Sequence, residues 1–268
     1  MNEKIFELTG LLSKVNVSSA DNGEFFTDLT RLNNINEILN NSSYCLLCDG
    51  SLSFIRKHQN FNDKNPAVLI SCHIDSIYEY HFWEYYDNKT ILGTLDNSIT
   101  NSILISLMLK NVLHPNVLIS FTGDEENDSA GASETVEYIS GNQNLIWENL
   151  VSVISLDVTG EGYDSYDFSI ENWFVKKNFI NEPKIFFNNK KEYKKYLRSK
   201  FNETNYKILY IHEKDDRAAP DDTWEYDEYD LNCFSMCLPT LYHPKNNKLD
   251  QEDWMHDDKG ILAKIESI

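Results

Sequence analysis

The segment Asn116–Glu126 constrains the fold of this chain most strongly. It reads Asn-Val-Leu-Ile-Ser-Phe-Thr-Gly-Asp-Glu-Glu, a short apolar and β-branched run that ends in an acidic cluster. Such a run between turn-forming residues is typical of a buried strand in a parallel sheet. Open α/β sheets bind ligands at the carboxyl ends of their strands, so Glu125 and Glu126 are predicted to lie at such a site. Because adjacent side chains diverge, one glutamate can hold a metal while the other transfers a proton.

Three further segments carry a candidate metal ligand at a comparable position. Ala67–Cys72 is an apolar run followed by His73, and Leu150–Leu156 is another, followed by Asp157. Between them, Asp96 precedes an apolar-rich segment of helical length. The carboxyl ends of parallel strands lie at one edge of a sheet, so these side chains are expected to converge there.

The alternation of strand and helix patterns predicts the fold class. Helical patterns over Ile99–Leu113 and Ser133–Ile139 connect the three buried strands, which is the signature of an α/β fold. The chain has 268 residues, 41% of them hydrophobic, and no linker divides it, so residues 1–268 are predicted to form one domain. A final helix is predicted over Lys259–Ile265, and the charged run Glu213–Asp230 is interpreted as a solvated loop with some helix.

Composition excludes several classes of partner. The formal net charge of −19 argues against nucleic acid or an anionic membrane, since both bind basic surfaces. No stretch is long and apolar enough to span a membrane, and the N-terminus has no signal-type apolar region, so a soluble cytoplasmic protein is predicted. The five cysteines are predicted to be reduced core residues; Cys45 and Cys48 form half of a zinc ribbon, but no second pair completes it.

The strand-end residues supply the ligands that a hydrolytic metal centre needs. A pair of zinc ions requires a bridging carboxylate and further His and carboxylate ligands. His73, Asp96, Glu126, Asp157 and a later histidine offer this set. Asp75 lies two residues after His73, on the same face of an extended segment, and is placed to accept the second imidazole N–H.

Four motifs in order resemble a known family. They are His-x-Asp at 73–75, Gly-x-x-Asp-Asn at 93–97, Glu-Glu at 125–126 and Leu-Asp at 156–157, followed by a late histidine. This pattern resembles the co-catalytic dizinc exopeptidases, which include aminopeptidases, carboxypeptidases and aminoacylases. The resemblance covers roughly residues 66–160 well. It implies a three-layer α/β sandwich with a mostly parallel mixed central sheet flanked by helices, and a cofactor of two zinc ions.

The resemblance also implies a role for each residue of the metal centre. Asp96 bridges both metals, and the peptide bond to Asn97 is cis. His73 and Asp157 complete one site, while Glu126 and the late histidine complete the other.

Two carboxylates have roles other than ligation in this resemblance. Glu125 is implied as the general base, which takes a proton from water and returns it to the leaving amine. Asp75 is implied as the acid that orients His73.

Two histidines compete for the position of the last ligand. His243 follows the segment Pro239–Tyr242 at once, whereas His256 lies later in Trp-Met-His-Asp-Asp, ahead of the predicted final helix. The resemblance favours His256, because the family places this ligand in a loop well after the Pro-containing strand. Asp257 replaces the Ser or Thr that often follows the ligand, which bears on the local geometry but not on ligation by His256. His243 remains the alternative.

The substrate class is predicted from chain length and charge. Some members of the resembled superfamily carry a lid domain of roughly a hundred residues after the strand that ends in the aspartate ligand. Here His256 follows Asp157 by only 99 residues, which must also supply core strands, so no separate lid domain fits and the single-domain aminopeptidase branch is favoured. Only four arginines are present to bind a substrate carboxylate, and the acidic chain suits a free α-amine. A peptide or small amide is the expected substrate, with zinc, cobalt or manganese as the metal. The alternatives are a deacylase or carboxypeptidase on the same site, and a non-catalytic binding module that retains the scaffold.

Overall fold

The computed structural model describes residues 2–13, 29–76, 82–174, 205–242 and 260–264, with residues 191, 192, 195, 198 and 199 of a further segment. The strands are β1 (Tyr44–Asp49), β2 (Ser53–His58), β3 (Ala67–His73), β4 (Trp83–Asp87), β5 (Thr90–Gly93), β6 (Val117–Thr122), β7 (Leu150–Thr159), β8 (Phe168–Phe174), β9 (Ile208–Tyr210), β10 (Cys233–Tyr242) and β11 (Ile261–Lys264). The helices are α1 (Asn2–Ser13), α2 (Leu29–Leu39), α3 (Ser98–Leu109), α4 (Ala130–Asn142), α5 (Asn144–Asn149) and α6 (Thr223–Glu228).

The described strands form one mixed sheet. Its order is β1-β2-β6-β3-β7-β10-β11-β5-β4, and β8 joins β10 and β9 beside this path. The neighbours β6, β3, β7 and β10 are parallel to one another, whereas the strands on either side of this group are antiparallel. The parallel strands are the apolar runs of the sequence, as expected for strands that are covered on both faces.

Helices cover the two faces of the sheet and form a separate core on each. On one face, α1, α2 and α3 bury Leu12, Ile35 and Leu104 in a single cluster against the sheet. On the other face, α4 and α5 bury Val136 and Ile146 in a second cluster, which α6 also joins. Two apolar layers on a shared sheet give the three-layer α/β architecture, so the predicted fold class is confirmed.

The expectations for the C-terminal segment and for Cys45 are wrong. The C-terminal segment that was predicted as a helix is the strand β11, which pairs antiparallel with both β10 and β5. Ile261, Leu262 and Ala263 are all buried, and periodicity does not distinguish so short an apolar run from a buried helical turn. Cys45 is exposed on the outermost strand β1, whereas Cys72, Cys233 and Cys237 are buried as predicted.

Candidate metal centre

The carboxyl ends of the parallel strands bring the predicted ligands together. His73 closes β3 and lies in register with Thr122 at the end of β6, so the chain after β6 carries Glu125 and Glu126 past the imidazole. On the other side, β7 runs parallel to β3 and continues to Asp157. The convergence follows from parallel pairing, because all three strands end at the same edge of the sheet.

The start of α3 holds the fourth candidate ligand against these strands. Asp96 lies between β5 and α3, and its peptide bond to Asn97 is cis, as the resemblance implies. The Asn97 side-chain amide donates a 2.8 Å hydrogen bond to the carbonyl of Leu156, the residue before Asp157.

Asn101 of α3, which the sequence analysis did not single out, makes a similar connection. The amide of Asn101 donates 2.8 Å hydrogen bonds to the carbonyls of His73 and Asn97. Both asparagines are fully buried, so α3 is tied by side chains to the ends of β3 and β7.

The imidazole of His73 is the centre of the arrangement. Its Nε2 lies 3.2 Å from Asp96 Oδ1, 3.3 Å from Asp157 Oδ1 and 3.8 Å from Glu125 Oε2. Its Nδ1 lies 3.3 Å from Asp75 Oδ1, and Asp75 Oδ2 accepts a 3.1 Å hydrogen bond from the backbone N–H of Glu126. Asp75 therefore connects the β3 end to the Glu125–Glu126 turn.

Two groups of donor atoms can each hold a cation. His73, Asp96 and Asp157 form one group, and His73, Glu125 and Glu126 form the other, with the donor atoms of each group within 4.8 Å of one another. Glu126 Oε1 is buried and has no hydrogen-bond partner among the described residues. A buried carboxylate oxygen without a donor is strongly destabilised unless a cation meets it, so the residues present fit a metal. His243 and His256 both lie outside the described residues.

The electrostatics of the site reflect five acidic groups around one imidazole. Burial alone would lower the pKa of His73, but Glu125, Asp157 and Asp75 raise it well above its ordinary value. Burial raises the pKa of Glu125 and of Glu126, with Asp96 adding to the effect at Glu126. These groups favour a positive charge in their midst, which a divalent cation supplies.

The pKa values of the two flanking carboxylates, Asp157 and Asp75, are shifted in opposite directions. Burial raises the pKa of Asp157 to about 6. Burial would also raise the pKa of Asp75, but its hydrogen bonds with His73 and with the Glu126 N–H outweigh this and lower it. Asp75 is therefore held as an anion beside the imidazole, which favours a proton on Nδ1 and leaves Nε2 to face the donor groups.

One buried acid beneath the site was not found from the sequence. Asp222 precedes α6 and is fully buried, so the interpretation of its charged run as a solvated loop is wrong at this residue. Its Oδ2 accepts hydrogen bonds of 3.0 Å from Ser71 Oγ and 2.7 Å from Thr122 Oγ1, which join β3 to β6 just before the candidate ligands. Burial raises the pKa of Asp222 to about 7. Nothing in the residue pattern distinguishes it from its acidic neighbours.

Comparison with protein families identifies the lineage of this centre. The family model for peptidase family M28 matches residues 55–267, which include the candidate ligands on β3 and β7, after β6 and before α3. The chain belongs to peptidase family M28. As a member of family M28 it is a metal-dependent peptidase, which confirms the prediction of a metallopeptidase. No curated protein matches the sequence.

Solved structures share the fold of this M28 chain at low identity. A TET aminopeptidase from a marine sediment Thaumarchaeota archaeon has a TM-score of 0.65 at 12% identity, with 99% of this chain and 92% of the other covered. Aminopeptidase PepT from Bacillus cereus has a TM-score of 0.61 at 9% identity over 100% and 95% of the two chains. LapA aminopeptidase from Legionella pneumophila has a TM-score of 0.53 at 15% identity; the match covers 88% of this chain and 61% of LapA. Likeness at such identities establishes the fold alone.

None of the described helices is both long and apolar enough to cross a membrane.

Proposed function

We propose that this M28 member is an aminopeptidase that uses two zinc ions. One observation carries the proposal: carboxylates from the end of β7, from the turn after β6 and from the start of α3 surround the single imidazole of His73. An ion pair that only stabilises the fold does not need four acids around one histidine. A pair of cations accounts for this number, since each ion needs several ligands and one carboxylate is shared.

Each residue has a proposed part in holding the metals. Asp96 would be shared between the two ions, His73 and Asp157 would complete one site, and Glu126 with His256 would complete the other, with His243 as the alternative. Zinc held there would supply a Lewis acid that polarises a carbonyl group and makes water more acidic.

Glu125 is the proposed general base. Its side chain is 11% exposed, and Oε2 lies 3.8 Å from His73 Nε2, within the donor group of His73, Glu125 and Glu126. In the metal-free protein burial raises the pKa of Glu125 well above that of an ordinary glutamate, and nearby cations would favour the anionic form that a general base needs. In the proposed reaction Glu125 takes a proton from the attacking water and returns it to the leaving amine. Asp75 acts on this step only through the imidazole that it orients.

Charge supports a substrate with a free α-amine. A net charge of −19 attracts a cationic ammonium group, and four arginines in the whole chain offer few bidentate partners for a C-terminal carboxylate. The solved neighbours described above are aminopeptidases by name. An organisation of residues 1–268 as one domain without a lid, and a place in the cytoplasm, stay predictions from the sequence.

Metal analysis and two substrate sets test the proposal. Purified protein is expected to hold about two transition-metal ions per chain and to hydrolyse aminoacyl anilides in preference to N-acylated amino acids. Turnover of the acylated set alone would identify a deacylase instead. Protein that retains no metal after careful purification would leave the binding-module alternative.

A matched pair of variants tests the base. Glu125→Gln is expected to keep its metal and lose about 10²- to 10⁴-fold in kcat, the range for loss of general acid–base catalysis. Glu148→Gln, an equal change on the exposed face of α5, is expected to keep full activity. Activity in Glu125→Gln equal to that of Glu148→Gln would show that the base lies elsewhere.

A further inference from the structure

The first two helices of the chain lie outside the segment that matches family M28. The match begins at residue 55, whereas α1 and α2 end at Ser13 and Leu39. Both helices nevertheless pack in the same apolar cluster as α3, close behind the candidate metal centre. The family match therefore does not describe their contribution to the site.

Arg31 of α2 is the unusual residue of this layer. It is 0% exposed and heads the largest fully buried side chains of the described residues. A guanidinium is almost never fully buried unless its donors are matched, because removing an ion from water is costly. The hydrogen bonds of its donors therefore indicate the role of Arg31.

The guanidinium connects the end of α1 to the end of β3. Nε donates a 2.9 Å hydrogen bond to the carbonyl of Leu12, in the last turn of α1. Nη1 donates to the carbonyl of Ile74 at 2.8 Å and to that of Asp75 at 3.3 Å. A planar guanidinium presents its donors in a fixed fork, so these bonds set the relative position of the two acceptor segments.

The two carbonyls belong to the short segment on which the His73 contacts depend. Ile74 is fully buried, and its N–H donates a 2.7 Å hydrogen bond to the carbonyl of Thr122 on β6. The Asp75 carboxylate lies 3.3 Å from His73 Nδ1 and accepts the N–H of Glu126 at 3.1 Å. A displacement of the backbone at 74–75 would therefore move the orienting carboxylate and, through it, the imidazole.

We propose that Arg31 is a positioning residue of the metal centre, through which the two N-terminal helices fix the backbone that carries Asp75. The proposal rests on the proposed metal site. It adds a part of the chain outside the family match to the machinery of that site. Arg31 itself contacts neither metal nor substrate in this role.

A role in core stability alone is the competing explanation, and Arg56 provides the matched control. Arg56 is 4% exposed and also donates from a buried guanidinium, to the Tyr44 carbonyl at 3.1 Å and to Asn36 Oδ1 at 2.6 Å. Asn36 lies on α2, so both arginines secure the same helix. The recorded hydrogen bonds of Arg56 reach β1 and α2, not the segment after β3.

The test compares zinc affinity and stability in the full-length variants Arg31→Lys and Arg56→Lys. Lysine keeps the charge but loses the fork, so both variants are expected to fold with reduced stability in urea. Zinc affinity, measured by competition with a chromophoric chelator, is expected to fall about tenfold or more in Arg31→Lys, the range for loss of support behind a ligand. In Arg56→Lys it is expected to stay within about twofold of the starting protein.

Each other outcome overturns the proposal. Equal zinc affinities in the two variants would make Arg31 a core residue without influence on the metal centre. Failure of Arg31→Lys to fold, while Arg56→Lys folds, would likewise assign Arg31 to stability alone. Zinc binding needs no substrate, so unaltered protein that binds zinc but hydrolyses no aminoacyl anilide contradicts the proposed function and not the role of Arg31. Unaltered protein that binds no zinc removes the basis of both.

Discussion

Replacement of Asp222 by Asn should stabilise the metal-free protein relative to the unaltered chain, by an amount that grows as the pH rises. The substitution keeps an oxygen that accepts from Ser71 and Thr122 and removes the charge. Asp222 is fully buried, and burial raises its pKa from 3.8 to about 7, so the folded state keeps a proton that the unfolded chain releases. Ionisation therefore favours unfolding in the unaltered protein but not in the variant.

The magnitude follows from the pKa difference. Below about pH 4 both states hold the proton, and above about pH 7 both have lost it, so the effect develops between these limits. About three pH units at about 1.4 kcal/mol each give a total loss of about 4 kcal/mol from the free energy of unfolding. Between pH 5 and pH 8 the advantage of Asp222→Asn should grow by about 3 kcal/mol.

Urea denaturation in the presence of EDTA, followed by tryptophan fluorescence at several pH values, measures this difference. Glu134→Gln is a control without a rise between pH 5 and pH 8. Burial would raise the pKa of Glu134, but hydrogen bonds from Ser51 and the Leu52 N–H lower it from 4.5, so the stability difference of this variant should change only at lower pH and stay constant in that range. A pH-independent difference between Asp222→Asn and the unaltered protein would refute the reasoning.

Two further predictions concern the metal centre. Asp75→Asn removes the anion beside His73 Nδ1, and zinc affinity by chelator competition should fall about 10- to 100-fold; an unchanged affinity would contradict the orienting role. Zinc added to metal-free protein at 100 times its Kd should raise the free energy of unfolding by about 2.7 kcal/mol for each of the two ions bound, measured by urea denaturation. Asp96→Ala removes the proposed shared ligand and should abolish most of that increase; the full increase in this variant would place the metal elsewhere.

The parts of the fold that local pattern specifies could be predicted. The strands Ala67–His73, Val117–Thr122 and Leu150–Thr159 contain apolar runs followed by polar residues, and such runs in alternation with helices have few arrangements besides a parallel sheet. That arrangement in turn brings His73, Asp157 and Glu126 to one edge, so the strand-end positions of these candidate ligands were enough to predict that they lie close together.

The parts that depend on tertiary contacts could not be predicted. Asp222 and Arg31 are both fully buried. From the sequence, a single aspartate in a charged run and an arginine on an amphipathic helix are both expected to be exposed to solvent. The strand β11 was missed for a related reason, because Ile261–Lys264 owes its conformation to two neighbouring strands and not to its own residues.

The position of β11 has a consequence for synthesis of the chain. The hairpin of β4 and β5 leaves the ribosome early, yet in the completed sheet β5 reaches β10 only through β11, which is made more than 160 residues later. Asp96 follows β5 directly, so its final placement waits for that late strand. We expect a nascent chain to acquire its candidate zinc centre only after β11 has left the ribosome, so hydrolytic activity should appear only once residues 261–264 are free to pair.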